Sequence, residues 1–143
     1  MRNQVSVFSL DARLRAQTRA IKDGACFFLD ALREDGVSVE IYLVGDSRMR
    51  KLNREYRDKD ASTNVLAFSA PKNFPNPDSK FTSIGEVYLC PPFISSHGED
   101  IYYLLLHGLL HVFGFNHENK SDRIRMEKLE KKVMNSFHLS YNR

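Results

Sequence analysis

The sequence predicts an α+β domain built as a mixed four-stranded sheet packed with helices. Three observations predict it. Val37, Val39, Ile41 and Leu43 alternate with Ser38, Glu40 and Tyr42, the period of a strand with one buried face. Apolar residues recur at helical spacing near both ends, at Leu14, Ile21, Ala25, Phe28, Leu29 and Leu32 and again at Met126, Leu129, Val133 and Phe137. Strands and helices then interleave irregularly along a chain whose 143 residues suit one domain, expected over 1–143. There is no internal repeat and no linker-like segment to divide it.

The elements follow in order. Gln4 to Leu10, with Val5 and Val7 alternating, reads as a strand. Asp11 can cap a helix running to about Arg33. Asp35-Gly36 is a turn into the strand at 37–43. Gly45-Asp46-Ser47 starts a second helix, with Met49, Leu52 and Tyr56 at helical spacing. Val65 to Phe68 is a third strand. Residues 71–83, rich in Pro, Asn and Asp, form a loop. Ile84 to Leu89 is a fourth strand, ended by Pro91-Pro92. Glu99 to Phe113 reads as a helix closed by Gly114, and Ser121 or Asp122 caps the last helix.

Composition narrows the class. Hydrophobic residues make up 42% and charged residues 27%, which excludes a disordered chain. The net charge of +3 permits an anionic partner without requiring one. Two cysteines exclude a disulfide-rich secreted module. The longest nearly apolar run, Ile101 to Phe115, falls short of the ~18 residues of a membrane span and carries two histidines. No secretory leader is read at the start; Arg2, Arg13, Arg15 and Arg19 would suit a transit peptide, but the strand at Gln4 makes this segment part of the fold. A cytoplasmic protein with no membrane partner is the expectation. Cys26 reads as core; Cys90 reads as a strand end, with a fourth metal ligand or a redox role as its minor alternative.

The informative segment is His107-Gly108-Leu109-Leu110-His111-Val112-Phe113-Gly114-Phe115-Asn116-His117. On a helix His107 and His111 project from one face a turn apart, so two ring nitrogens can reach one ion. Gly114 ends the helix and can turn His117 back toward them. Three imidazoles with an open fourth position describe a catalytic zinc site. Nickel, copper and iron are alternatives, because imidazole suits them too. Three unrelated histidines on a core helix are the plain alternative, disfavoured by the cost of burying unused imidazoles. His97 and His138 read as surface residues. The spacing HxxxHxxGxxH is that of metzincin proteases, but their first histidine is followed by a glutamate base. Gly108 stands there and moves no proton, which disfavours a peptidase.

Arg48, Arg50, Lys51, Arg54, Arg57 and Lys59 crowd the second helix and the loop after it. A solvated face with local ion pairs accounts for Arg48, and Arg50, Lys51 and Arg54 are weak RNA-contact candidates beside that reading. Arg57 lies where a polar loop leads into the strand at Val65, and a guanidinium there can hold a phosphate bidentately. Tyr56 and Phe68 read as core, with base stacking as the alternative.

These motifs carry a resemblance. Leu52-Asn53-Arg54-Glu55-Tyr56-Arg57-Asp58-Lys59-Asp60, Thr63-Asn64-Val65-Leu66-Ala67-Phe68, Gly85-Glu86-Val87 and the histidine segment, in that order over roughly 37–137, resemble the YbeY endoribonuclease family. The resemblance implies an α+β fold with a metal-bearing helix, one zinc-type ion held by His107, His111 and His117, and a catalytic or RNA-binding Arg57 assisted by Lys59. It also implies single-strand-specific cleavage of RNA, in ribosomal RNA maturation at the 16S 3′ end and in ribosome quality control. The implied partners are single-stranded and ribosomal RNA, the small ribosomal subunit, and a ribosomal protein or GTPase. The chain departs from the usual family pattern at Asn116, where Asp is usual, at Ser62 and Ala67, and in a shorter segment after Cys90. The sequence names no general base; Glu86, Asp58, Asp60 and Glu118 are weak candidates. Two other functions stay open: a ribosome-assembly RNA-binding factor with a structural metal, and a metallopeptidase-like hydrolase.

Overall fold

The computed structural model describes residues 2–71 and 80–141. Strands β1 (Gln4–Ser9), β2 (Val37–Leu43), β3 (Val65–Ser69) and β4 (Thr82–Leu89) form one mixed sheet in the order β1-β2-β4-β3. β2 pairs parallel with β1 and with β4, while β3 is antiparallel to β4 at the edge. The helices are α1 (Thr18–Ala31), α2 (Asp46–Arg57), α3 (Pro91–Ser96), α4 (Ile101–Val112) and α5 (Lys120–Tyr141).

The alternation read from the sequence sorts the two faces of the sheet. Val39, Ile41, Leu43, Val87 and Leu89 turn inward onto Ile21, Phe28 and Leu29 of α1, and onto Leu105, Leu106 and Leu109 of α4. Met126, Val133 and Phe137 of α5 close this core from outside. Burial of each such side chain stabilises the fold by ~1.5–3 kcal/mol, so the core fixes where α4 lies. The opposite face is only partly covered. There Met49 of α2 packs with Leu66 and Cys90, leaving Tyr42, Phe68 and Tyr88 half-buried.

Several expected boundaries differ. The helix expected from Asp11 to Arg33 is two pieces: a 3-10 turn, Ala12–Gln17, capped by the Asp11 side chain on the Arg13 amide, and then α1. Pro91-Pro92 does end β4, but it also opens α3, because proline is preset for the first helical turn. The helix expected from Glu99 begins at Ile101 behind an Asp100 cap. Glu99 instead accepts from the Asn64 amide at 3.2 Å. α5 is capped by Asn119, ahead of Ser121 and Asp122; its side-chain oxygen accepts from the Asp122 amide at 2.8 Å. Of the expected loop at 71–83, residues 72–79 lie outside the described residues, and Thr82 and Ser83 belong to β4. Among the described residues no helix is long and apolar enough to cross a membrane.

Candidate active site

α4 is buried almost all round: Leu104, Leu105, Leu106, Gly108, Leu109, Leu110 and Val112 are enclosed. His107 and His111, one turn apart, are half-buried on a stripe between the enclosed residues. The helix closes at Gly114, φ 97°, where the Gly114 amide donates to His111 O at 2.9 Å and the Phe115 amide to Leu110 O at 3.0 Å. This pair of bonds is the Schellman closure. It folds the chain back so that His117 meets the helix pair, with its ring 5.8 Å from that of His107 and 5.3 Å from that of His111. One potential ligand atom from each of the three histidines lies within 4.8 Å of the others.

This donor set fits a metal ion. Two nitrogens bound to one tetrahedral ion at ~2.0–2.1 Å stand roughly 3.3 Å apart. The Nε2 atoms of His107 and His111 are 3.1 Å apart. Burial, and then the neighbouring His107 and His117, hold His111 below the ordinary histidine pKa. Both effects favour its neutral form, the one that donates a lone pair. Exposed His117 leaves one side of the group open to solvent.

A second layer holds the first. Glu130 of α5 is only 3% exposed. It accepts from Nδ1 of His107 at 2.7 Å and from the Tyr103 hydroxyl at 3.2 Å. Burial and the Glu130 charge push the Tyr103 phenol up to about 12, so it stays a donor at neutral pH. With its proton fixed on Nδ1, His107 presents the Nε2 lone pair to the site.

The histidines open onto a cavity of about 400 Å³ whose walls include Arg57, Asn64, Ala67 and Phe68. Arg57 ends α2, where Asp58 takes a left-handed conformation, φ 57°, and its amide donates to Asn53 O. Asn53 is buried, and its amide nitrogen donates to Ala61 O at 2.8 Å, tying the following loop to the helix. Arg50 grips Asp60 of that loop at 2.8 and 3.0 Å, and Arg54 approaches it at 3.6 Å. Two of the basic side chains expected near RNA thus hold the loop. Lys51 and Lys59 are exposed, and neither is among the residues lining the cavity.

The sequence profile of the family described as Endoribonuclease YbeY matches residues 3–138. The chain belongs to the YbeY endoribonuclease family. The Endoribonuclease YbeY of Anaeromyxobacter sp. (strain Fw109-5) is 34% identical over 134 residues, covering 88% of this chain and 68% of that protein. That of Finegoldia magna is 29% identical over 140 residues, covering 92% and 88%. That of Cellvibrio japonicus is 32% identical over 114 residues, covering 74% of this chain and 63% of that protein, so the chain spans less than two thirds of its length. The solution structure of TM1509 from Thermotoga maritima is alike in fold, with a TM-score of 0.54 at 20% identity over 96% of this chain and 94% of that one.

Two features of this YbeY-family chain acquire reasons from the structure. Gly108, where a metzincin carries its glutamate, faces the sheet. A Cβ there would stand 2.8 Å from Val87 Cγ1 and 3.2 Å from Val65 Cγ2. No longer side chain fits without moving α4 off β3 and β4. Asn116, where the family resemblance leads one to expect Asp, accepts from the Glu118 amide at 3.2 Å and shapes the turn that presents His117. An amide oxygen serves for that as well as a carboxylate. The buried carboxylate beside the ligands is Glu130, which the sequence reading missed. Its one signal was an acid on the apolar stripe of α5, between Met126 and Val133. Cys90 is buried in the second cluster, where its thiol faces Asp46 and Ser62, and it is not part of the histidine group.

Proposed function

We propose that this chain is a metal-dependent, single-strand-specific endoribonuclease. One observation carries the reading: in a chain of an endoribonuclease family, three convergent imidazoles and Arg57 line one open cavity. His107, His111 and His117 hold one zinc-type ion, with nickel or another transition metal as the alternative. When bound, such an ion supplies Lewis acidity and lowers the pKa of water toward ~7. Glu130 orients His107. Arg57 binds the phosphodiester through a bidentate pair of N–H donors and stabilises the negative charge that grows on it during cleavage. Lys59, exposed two residues beyond Arg57, adds to the positive potential that attracts RNA, with Arg50, Arg54 and Lys51 contributing along α2. The substrate is ribosomal RNA, including the 16S 3′ end, and the setting is the cytoplasmic small ribosomal subunit, with a ribosomal protein or GTPase as a directing partner.

The test is metal content together with cleavage of a single-stranded RNA. One equivalent of metal should be lost in His111→Ala, and cleavage should be lost in both His111→Ala and Arg57→Ala with the fold retained. Tight, salt-sensitive RNA binding without metal-dependent cleavage would instead make the chain an assembly factor. Unchanged cleavage in Arg57→Ala would remove that residue from the mechanism.

A further inference from the structure

The outer face of the sheet carries a line of rings that the histidine site does not use. Phe8 stacks on Tyr42 at 5.4 Å between centroids, and Tyr42 stacks on Tyr88 at 4.8 Å. Tyr88 meets Phe68 edge-on at 5.8 Å, and Phe68 meets Tyr56 at 5.1 Å. The line crosses all four strands and ends on α2. Tyr56, read from the sequence as core, is 63% exposed. Between its last three rings lies a second cavity, of about 510 Å³, whose walls also include Glu40 and Glu86. Each carboxylate accepts from the tyrosine two residues along its strand: Glu40 from Tyr42, and Glu86 from Tyr88 at 3.0 Å. Among the described residues, no cationic side chain pairs with either.

Phe68 is a wall of this cavity and of the histidine cavity alike. Tyr56 and Arg57 are successive residues, and they serve the two cavities separately. A strand whose phosphate is held by Arg57 therefore has its neighbouring base within reach of Tyr56, Phe68 and Tyr88. Charge sorts the two ends of such a nucleotide. Arg57 attracts the phosphate. Glu40 and Glu86 repel phosphates and, as acceptors, favour the N–H donors of a base edge.

We propose that this second cavity is a nucleobase subsite, in which Tyr56, Phe68 and Tyr88 stack a base of the RNA strand and Glu86 with Glu40 selects a base rich in N–H donors, guanine first. The proposal rests on the endoribonuclease reading and names a specificity within it. A carboxylate can accept from guanine N1–H and N2–H together, from one amino group on adenine or cytosine, and from one ring N–H on uracil. Those donors lie on the Watson–Crick edge, which is free only in an unpaired base. The subsite thus gives a physical reason for preferring single strands.

The experiment uses the full chain, treated with chelator so that nothing is cut, and fluorescently labelled single-stranded hexaribonucleotides. One is all uridine and one carries a central guanosine. Wild type should prefer the guanosine strand. Tyr56→Ala should weaken binding of both strands by about 5- to 150-fold, the range for loss of one stacked base, while Tyr56→Phe keeps it within about twofold. Glu86→Gln should erase the guanosine preference and leave the uridine strand's affinity in place. Unchanged binding in Tyr56→Ala and unchanged preference in Glu86→Gln overturn the subsite. Binding of an arginine-rich peptide that Glu86→Gln abolishes, with RNA affinity unmoved, also overturns it and makes the face a dock for a basic protein segment. Failure of the endoribonuclease reading looks different: metal-loaded wild type then cuts no RNA, whether or not it binds it, whereas failure of the subsite alone leaves cleavage by metal-loaded wild type intact and Tyr56→Ala silent.

Discussion

Glu130→Gln tests how the site is organised. The parent carboxylate is 3% exposed and holds His107 Nδ1 at 2.7 Å. The glutamine keeps the volume and one acceptor oxygen but removes the charge. A hydrogen bond to a charged group contributes ~1.5–3 kcal/mol against ~0.5–1.5 for a neutral one. The difference, about 1–2 kcal/mol, corresponds to roughly 5- to 30-fold in affinity. It should appear in metal binding, because the charged carboxylate holds the His107 proton on Nδ1 and so keeps the Nε2 lone pair aimed at the ion. Zinc affinity, measured by competition with a chromophoric chelator, should therefore fall by roughly 5- to 30-fold, within the ~10–100-fold band for such supporting groups or just below it. The metal-free variant should melt near the parent, since a buried charge has been exchanged for a neutral group of the same shape. The zinc-induced rise in melting temperature should shrink, as binding to the folded state alone stabilises it by mass action. Parent-like zinc affinity in a folded Glu130→Gln protein would show that the carboxylate merely fills space.

Gly108→Ala should destabilise the fold by ~1–3 kcal/mol, as overpacking does, because its methyl meets Val87 Cγ1 at 2.8 Å; a denaturant midpoint equal to the parent's would contradict the close approach of α4 to the sheet. Asn53→Leu should cost ~0.5–1.5 kcal/mol through loss of the hydrogen bond to the Ala61 carbonyl, and RNA cleavage should drop with it because the loop after Arg57 loosens; unchanged melting would refute the tie. His111 is a base held below its ordinary pKa, chiefly by burial. The unfolded chain therefore binds the proton that the metal-free fold refuses, and stability falls as pH drops through ~6.5. His111→Gln should flatten that acid limb in chelator-treated protein; identical limbs in both would remove His111 as its cause.

Much of the molecule was legible in the residues. The alternation from Val37 to Leu43 carried β2 and its buried face, since a strand's period fixes which side chains turn inward. Helical spacing carried α1, α2 and α5, and an apolar run closed by Gly114 carried α4. The His107–His111 separation and Gly114 carried the convergence of three imidazoles, because both are local: one turn of helix and one left-handed residue. The helix boundaries were less legible. Asp11 caps a 3-10 turn and Pro91 opens a helix, and both outcomes are decided by backbone bonds that composition does not encode.

What the sequence by itself determined is the set of groups and their local geometry: three histidines on and just beyond one helix, an arginine at the end of another, a sheet with one apolar face. What only the tertiary structure decided is which distant groups meet them. Glu130 reaches His107 across 23 positions because α5 packs on α4. Arg57 joins the same cavity because α2 ends beside β3. Tyr56 and Phe68, which look like core in the sequence, stand at a cavity because α2 covers only part of the outer face. Hydrophobic periodicity records that a side chain has a buried side and carries no term for its long-range partner. That partner is set by how the helices pack on the sheet.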